Sequence, residues 1–296
     1  MSACGLLLLN KKPGFTSFES LKPVKQAFAT QKAGHTGTLD KFASGLLLVL
    51  VGRAVKLACW FSGFSKEYIA SISFGAETDT LDPEVRIIAQ SEPPSRQAFE
   101  EVLPAFRGQI MQAPPAYSAI HINGQRAHEL TRRGKEPEMK KRPVTIHSLE
   151  VLSWTPQQAL VQVHCSAGTY IRSLARDIGL ACGSRAHLCA LKRTKAGVFR
   201  LEDSVEGEGQ SLVNALRPLD RKLFFDLDLP CFLLDDRAAE SFRHGRPLKG
   251  LLNAEALGAC TAPAAGVFRE SVPNGLLGVL ENRNGTWSYG HVFADN

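Results

Sequence analysis

One carboxylate stands at the end of a short polar run, Gly34-His35-Thr36-Gly37-Thr38-Leu39-Asp40. Two glycines give the run φ freedom and close backbone approach, while His35, Thr36 and Thr38 offer hydrogen-bonding atoms beside the acid. Such a carboxylate can attack an electrophilic carbon or remove a proton, and loops of this kind carry function more often than packing. The same residues also fit a plain turn, with Asp40 capping the next element and His35 an ordinary surface histidine. Residue type and spacing leave both readings open.

Other chemistries find less support. Asp79 and Asp82 flank the turn before Pro83 and would be metal ligands in a hydrolase, but no histidine stands at ligand spacing nearby, and turn formation is the better account. The seven cysteines are odd in number and contain no Cys-x-x-Cys pair, and the eight histidines show no zinc spacing.

The elements that must position the carboxylate follow from apolar patterning. Residues 5–9 read as a buried strand, broken by Lys11-Lys12-Pro13-Gly14. A helix then places Val24, Ala27 and Phe28 on one face, with Ser20 as cap and Pro23 in its first turn. Residues 34–40 form a polar loop before the apolar run 45–51, and residues 54–61 read as helical. Residues 66–74 alternate as a strand with Tyr68, Ala70, Ile72 and Phe74 on one side, a pattern that suits a core tyrosine.

Residues 77–84 read as a polar connection, and a helix follows over 96–106 with Ser95 as cap. Residues 114–143 form a basic insertion, in which Arg126, Arg132, Arg133, Lys135, Lys140, Lys141 and Arg142 crowd together with little apolar period. Two neighbouring strands (144–152 and 159–165), a turn at Gly168 and a helix over 170–180 come next. On that helix Arg172 and Arg176 lie four apart, which fits a solvated face with Asp177. Short segments separated by Gly and Pro after Pro230 suggest a small β-rich module.

With 296 residues, 44% of them hydrophobic, the chain can fill one large domain and a small one. Its formal charge of +6 favours polyanions such as RNA and equally describes a basic solvated surface. Residues 5–9 are too short for a signal-peptide core, and no apolar run approaches a membrane span. A reducing cytoplasm is the expected location.

Several separated motifs, in order, resemble the TruB family of tRNA pseudouridine synthases. They are Lys12-Pro13-Gly14 with Thr16-Ser17, the run from Gly34 to Asp40 with Ala43-Ser44-Gly45, and Gly168-Thr169-Tyr170-Ile171-Arg172. The resemblance implies a mixed α/β (α+β) pseudouridine synthase fold over residues 1–228, with a central mixed or antiparallel sheet and an RNA cleft. It implies a PUA-like module over 229–296, which serves either RNA binding or stability. By resemblance, Asp40 is the catalytic aspartate, Tyr68 the active-site tyrosine and Arg172 the arginine paired with the aspartate. His35, Tyr170 and Leu191 match positions that contact or place the flipped nucleotide, and Lys12 and Lys56 match basic positions near bound RNA. Lys41 departs from the family, whose members usually have proline after the aspartate.

The implied reaction isomerises uridine to pseudouridine at position 55 in the T-loop of tRNA, by a monomer with no cofactor and no obligatory protein partner. One aspartate suits each route, through C1′, through C6 or through a glycal. A uridine inside an RNA loop must be flipped outward, with His35 a candidate to fill the vacated space and the basic insertion to close over the RNA. A non-catalytic RNA-binding or tRNA-folding protein and a guide-RNA-dependent synthase subunit are the rival classes.

Overall fold

A computed structural model describes residues 3–83, 86–118, 120–122, 125–133, 138–252, 258, 260–272 and 275–293. The chain begins with β1 (Gly5–Lys11), α1 (Leu21–Ala27), β2 (Ala33–His35) and β3 (Ser44–Val51). After a 3-10 turn at Gly52–Leu57 come α2 (Ala58–Ser62), β4 (Lys66–Phe74) and the small hairpin β5 (Ala76–Thr78) and β6 (Ile87–Gln90). Then follow α3 (Arg96–Val102), β7 (Gly108–Gln112), β8 (His121–Ile122), β9 (Gln125–Arg126) and α4 (Ala127–Arg132). Next are β10 (Arg142–Thr155), β11 (Gln158–Cys165), α5 (Ile171–Ala181), β12 (Ala186–Ala196), β13 (Phe199–Arg200), α6 (Gln210–Asn214) and α7 (Arg221–Asp226). The module comprises β14 (Cys231–Leu234), α8 (Asp236–Arg243), β15 (Ala264–Arg269), β16 (Leu276–Arg283) and β17 (Thr286–Val292).

The central sheet runs β1-β3-β12-β4-β11-β10-β7, with β2 added on β3 and β13 on β12. Its ladders are antiparallel except the short parallel contact of β12 with β3, so the expected mixed α/β architecture holds.

Burial explains the two kinds of apolar pattern. In β1, Leu6 and Leu8 point into one cluster and Leu7 and Leu9 into another, and β3 divides in the same way, so both strands are apolar throughout. In β4 and β11, by contrast, one face is packed under α5. Tyr68, Ala70, Ile72 and Phe74 meet Ala159, Val161 and Val163 there, together with Leu174 and Ile178 of the helix.

Three local expectations need correction. Ser20 precedes α1, but its hydroxyl donates to the Thr16 carbonyl at 3.0 Å and caps nothing. Gly34 and His35 belong to strand β2, paired with Leu50 and Val49, and the polar loop starts only at Thr36. Strand β5 (Ala76–Thr78) runs into the stretch 77–84 read as a plain connection. The helices expected over 54–61 and 96–106 are present, each partly 3-10, and the Ser95 cap of α3 accepts from the Ala98 N–H at 3.1 Å. The basic insertion carries β8, β9 and α4; Lys135 lies outside the described residues.

The module's sheet runs β14-β15-β16-β17 around Phe242 and Ala239 of α8. It shares a core with the first strands. Phe268, Val279 and Phe293 pack with Leu6, Leu8, Leu57 and Phe61, and Phe224 meets Phe268 edge-on with centroids 5.3 Å apart. No helix among the described residues is long and apolar enough to cross a membrane.

Candidate active site

The loop after β2 is clamped at almost every residue. Thr36 N–H donates to the Leu48 carbonyl at 3.0 Å, and Leu39 exchanges bonds with the Ser17 hydroxyl, giving its N–H at 2.8 Å and accepting on its carbonyl at 3.0 Å. Gly14 N–H donates to Lys41 O at 2.8 Å. Leu39 and Ala43 are buried in the core, so Asp40 lies between two anchored neighbours. The 12–17 segment therefore forms one body with the loop, and Lys41, in place of proline, contributes an anchored carbonyl.

Two buried cations finish the clamp. Lys11 Nζ donates to the carbonyls of Ala43 at 2.5 Å, Lys12 at 3.1 Å and, more weakly, Lys41 at 3.4 Å; it is 1% exposed, and burial lowers its pKa to about 8. Arg193, also 1% exposed, donates through Nε to Leu46 O at 2.7 Å and through Nη2 to Gly37 O at 3.1 Å, bracketing Asp40 on both sides in the chain. Gly45 lets β3 pass this strand: at φ +100°, a Cβ there would lie 2.3 Å from the Arg193 carbonyl oxygen.

Arg172, in the first turn of α5, reaches the carboxylate. Its Nη2 donates to Asp40 Oδ1 at 3.2 Å, and its Nε lies 2.9 Å from Oδ2, close enough for ion pairing but not aligned as a hydrogen bond. The rest of the guanidinium is fixed by Thr80 O at 2.7 Å, Tyr117 O at 2.9 Å and Asp82 Oδ2 at 3.6 Å. Arg172 is buried, which rules out the solvated-face reading; Arg176 alone pairs with Asp177, at 2.8 Å. Asp82 is likewise buried, its Oδ1 accepting from the Thr80 hydroxyl at 2.6 Å, and it is an ion-pair partner more than a turn former.

Burial raises the Asp40 pKa above the ordinary carboxylate value. Arg172 opposes the shift and Asp82 adds to it. Because 35% of the Asp40 side chain still reaches solvent, the desolvation is partial. A carboxylate open on one side and held by a guanidinium on the other can face an electrophile.

Tyr68 of β4 pairs across the sheet with Arg193 of β12 and shares a core cluster with Leu39 and Leu191. Its pKa is raised by burial; the hydrogen-bonded Arg193 guanidinium opposes that, and the charge of Asp40 adds to it. His35, at the end of β2, has a lowered pKa through burial and then through Arg193, and its Nδ1 is buried without a partner among the described residues. Tyr170 leads into α5, its N–H donating to Gln112 Oε1 at 2.8 Å and its carbonyl accepting from Gln112 Nε2 at 3.1 Å. The Arg142 guanidinium sits 5.1 Å from its ring centre.

Asp40, Arg172 and Tyr68 thus come together, with Leu191 beside Tyr68. Lys12 is exposed beside Glu206 at 3.9 Å. Lys56 sits in the 3-10 turn that packs toward the module, where burial and then the Lys56 charge lower the His291 pKa. Sequence reasoning missed Lys11 and Arg193, and took Asp82 for a turn former. The available signal was a basic residue within or ending an otherwise apolar strand, as at Lys11 and Arg193.

The central sheet with its added module overlays a crystal structure of a Cbf5–Nop10–Gar1 complex with a TM-score of 0.67, at 25% identity, covering 99% of this chain and 84% of that one. A structure of an H/ACA RNP bound to a substrate RNA containing 2′-deoxyuridine overlays at 0.65 and 24% identity, over 94% and 77%. The fold is that of the pseudouridine synthases. A family model described as TruB family pseudouridylate synthase, N-terminal domain, matches residues 25–171. The tRNA pseudouridine synthase B of Borreliella burgdorferi (strain ZS7) is 48% identical over 210 residues, 70% of this chain and 74% of that relative. The enzyme of the same name from Francisella philomiragia is 46% identical over 205 residues, 68% of each chain. The chain belongs to the TruB family of pseudouridylate synthases, which are isomerases.

Proposed function

We propose that this chain converts uridine to pseudouridine at position 55 in the T-loop of tRNA, with Asp40 as the nucleophile. The observation that carries the reading is the Asp40 carboxylate, solvent-open on one side and gripped on the other by the buried Arg172. The high identity to relatives named for tRNA pseudouridine synthesis supports the substrate.

Asp40 attacks C1′ and displaces N1, which keeps the electron pair of the broken bond; the base turns, C5 attacks C1′ and displaces the Asp40 carboxylate, and the C5 proton is lost as N1 gains one. Attack at C6 instead gives an adduct from which Asp40 is likewise released once C5 has bonded to C1′. Redox state is unchanged and no water is consumed. Arg172 keeps Asp40 ionised against its desolvation, while Tyr68 and Leu191 form the wall against which the uracil lies. His35, neutral and carrying an unpartnered ring nitrogen, fills the space the flipped nucleotide leaves. Tyr170 braces the entrance from α5, the 114–143 insertion closes over the RNA, and Lys12 and Lys56 contact phosphates. Residues 1–228 carry the reaction and 229–296 form a PUA-like module. The protein works in the cytoplasm as a monomer.

Fold likeness to Cbf5-containing complexes favours a second reading, a guide-dependent subunit. The much higher identity to relatives named tRNA pseudouridine synthase B favours the first. Incubation of the purified protein with an unmodified elongator tRNA transcript decides between them. Pseudouridine at position 55 without guide RNA or added cofactor is expected, whereas conversion only on addition of a guide supports the second reading.

A further inference from the structure

Two large aromatic side chains stand in solvent on the segment that clamps the Asp40 loop. Phe15 is 54% exposed and Phe18 is 70% exposed. The segment beneath them is firmly held: Gly14 and Ser17 bond to Lys41 and Leu39, and Thr16 binds the Glu19 carboxylate through its N–H at 2.7 Å and its hydroxyl at 2.9 Å. The rings are therefore presented outward by a fixed backbone.

Phe18 forms one wall of a depression of about 480 Å³, whose lining includes Lys22, Lys25, Gln26, Thr30 and Gln31. Lys25 Nζ lies 5.1 Å from the Phe18 ring centre. The volume falls within the roughly 300–1,000 Å³ typical of small-molecule sites. The net charge of the lining is positive, since Lys22 and Lys25 outnumber the one acid, Glu19.

We propose that this surface binds an unpaired nucleotide of the RNA substrate other than the reacting one, its base stacked on Phe18 and its flanking phosphates on Lys22 and Lys25. An exposed aromatic face beside flexible ammonium groups is the chemistry that accepts any base and its backbone. Position points to the same partner, because the Phe18 segment is bonded to the residues on either side of Asp40. The inference rests on the tRNA reading above and extends the RNA interface beyond the catalytic cleft.

The test is tRNA binding and single-turnover conversion by the full-length Phe18→Ala, Phe18→Trp and Lys22→Ala/Lys25→Ala variants beside wild type. Phe18→Ala weakens binding by about tenfold with an unchanged rate at saturating RNA, and Phe18→Trp restores it. The double lysine variant lowers the slope of log affinity against log salt by about 1.4. Phe18 is exposed, so its variants melt with the wild type. Binding within twofold of wild type for Phe18→Ala, or a loss confined to the saturating rate, overturns the proposal while leaving the enzyme reading intact. Wild type that binds no tRNA overturns both.

Discussion

Asp40 and Asp82 share one guanidinium: Arg172 places Nε 2.9 Å from Asp40 Oδ2 and Nη1 3.6 Å from Asp82 Oδ2. The buried acid both orients the arginine and pushes the Asp40 pKa upward. Asp40 must be ionised to act, so activity falls as pH drops through its raised pKa. Asp82→Asn removes the push and moves the acid limb of the rate profile to lower pH. It also lowers the plateau by about tenfold, because Arg172 loses a charged partner. Single-turnover pH profiles of both proteins check the direction; an acid limb that stays put contradicts the assignment.

Arg193 joins the loop to the tyrosine. It donates to Gly37 O and Leu46 O and is hydrogen-bonded to Tyr68. Arg193→Met is expected to lower the saturating rate by roughly 100-fold, the scale of a lost charge-assisted bond at the site, with tRNA affinity changed little. Adding Tyr68→Phe then costs much less than it does in wild type, because the two act as a unit. Losses that simply multiply confine Arg193 to supporting the loop.

Much of this arrangement was legible in the sequence, and the exceptions have physical causes. Asp40, Tyr68 and Arg172, singled out by the resemblance, lie near one another in the structure. Strand β12 was not marked because its alternation is interrupted twice, by register shifts at Leu188/Ala190 and Arg193/Lys195, and because it carries a buried arginine. Strand β7 is a short, polar, largely exposed edge strand without an apolar signature. Lys11 and Lys12 are adjacent and identical in type, and only the fold distinguishes the buried clamp from the exposed side chain. Asp82 looked like a turn former because its partner lies 90 residues away in sequence.

Gly14 and Gly45 both have positive φ, at +86° and +100°, but their surroundings differ. A Cβ at Gly14 meets nothing within 4 Å, whereas at Gly45 it meets the Arg193 backbone at 2.3 Å. Gly14→Ala should cost about 1 kcal/mol and Gly45→Ala about 3 kcal/mol or more, measured by urea unfolding.

Burial lowers the Lys11 pKa to about 8 in the folded protein, against the 10.5 of a solvated lysine. The unfolded chain then binds more protons between those values, so this residue's contribution to stability rises with pH across that window. Lys11→Met loses the gain, and its stability deficit should grow from pH 7.5 to 9.5 by about 2 kcal/mol. The raised thiol pKa values of Cys165 and Cys182 act in the opposite direction and cancel in the comparison. A deficit that stays constant with pH shows that Lys11 is not desolvated as described.

The most direct measurement of the central claim compares wild type with Asp40→Asn for conversion of uridine in an unmodified tRNA transcript, with binding measured alongside. Wild type should modify the T-loop uridine unaided, and the variant should bind comparably while converting none. A variant that still forms pseudouridine at a wild-type rate contradicts the role assigned to Asp40.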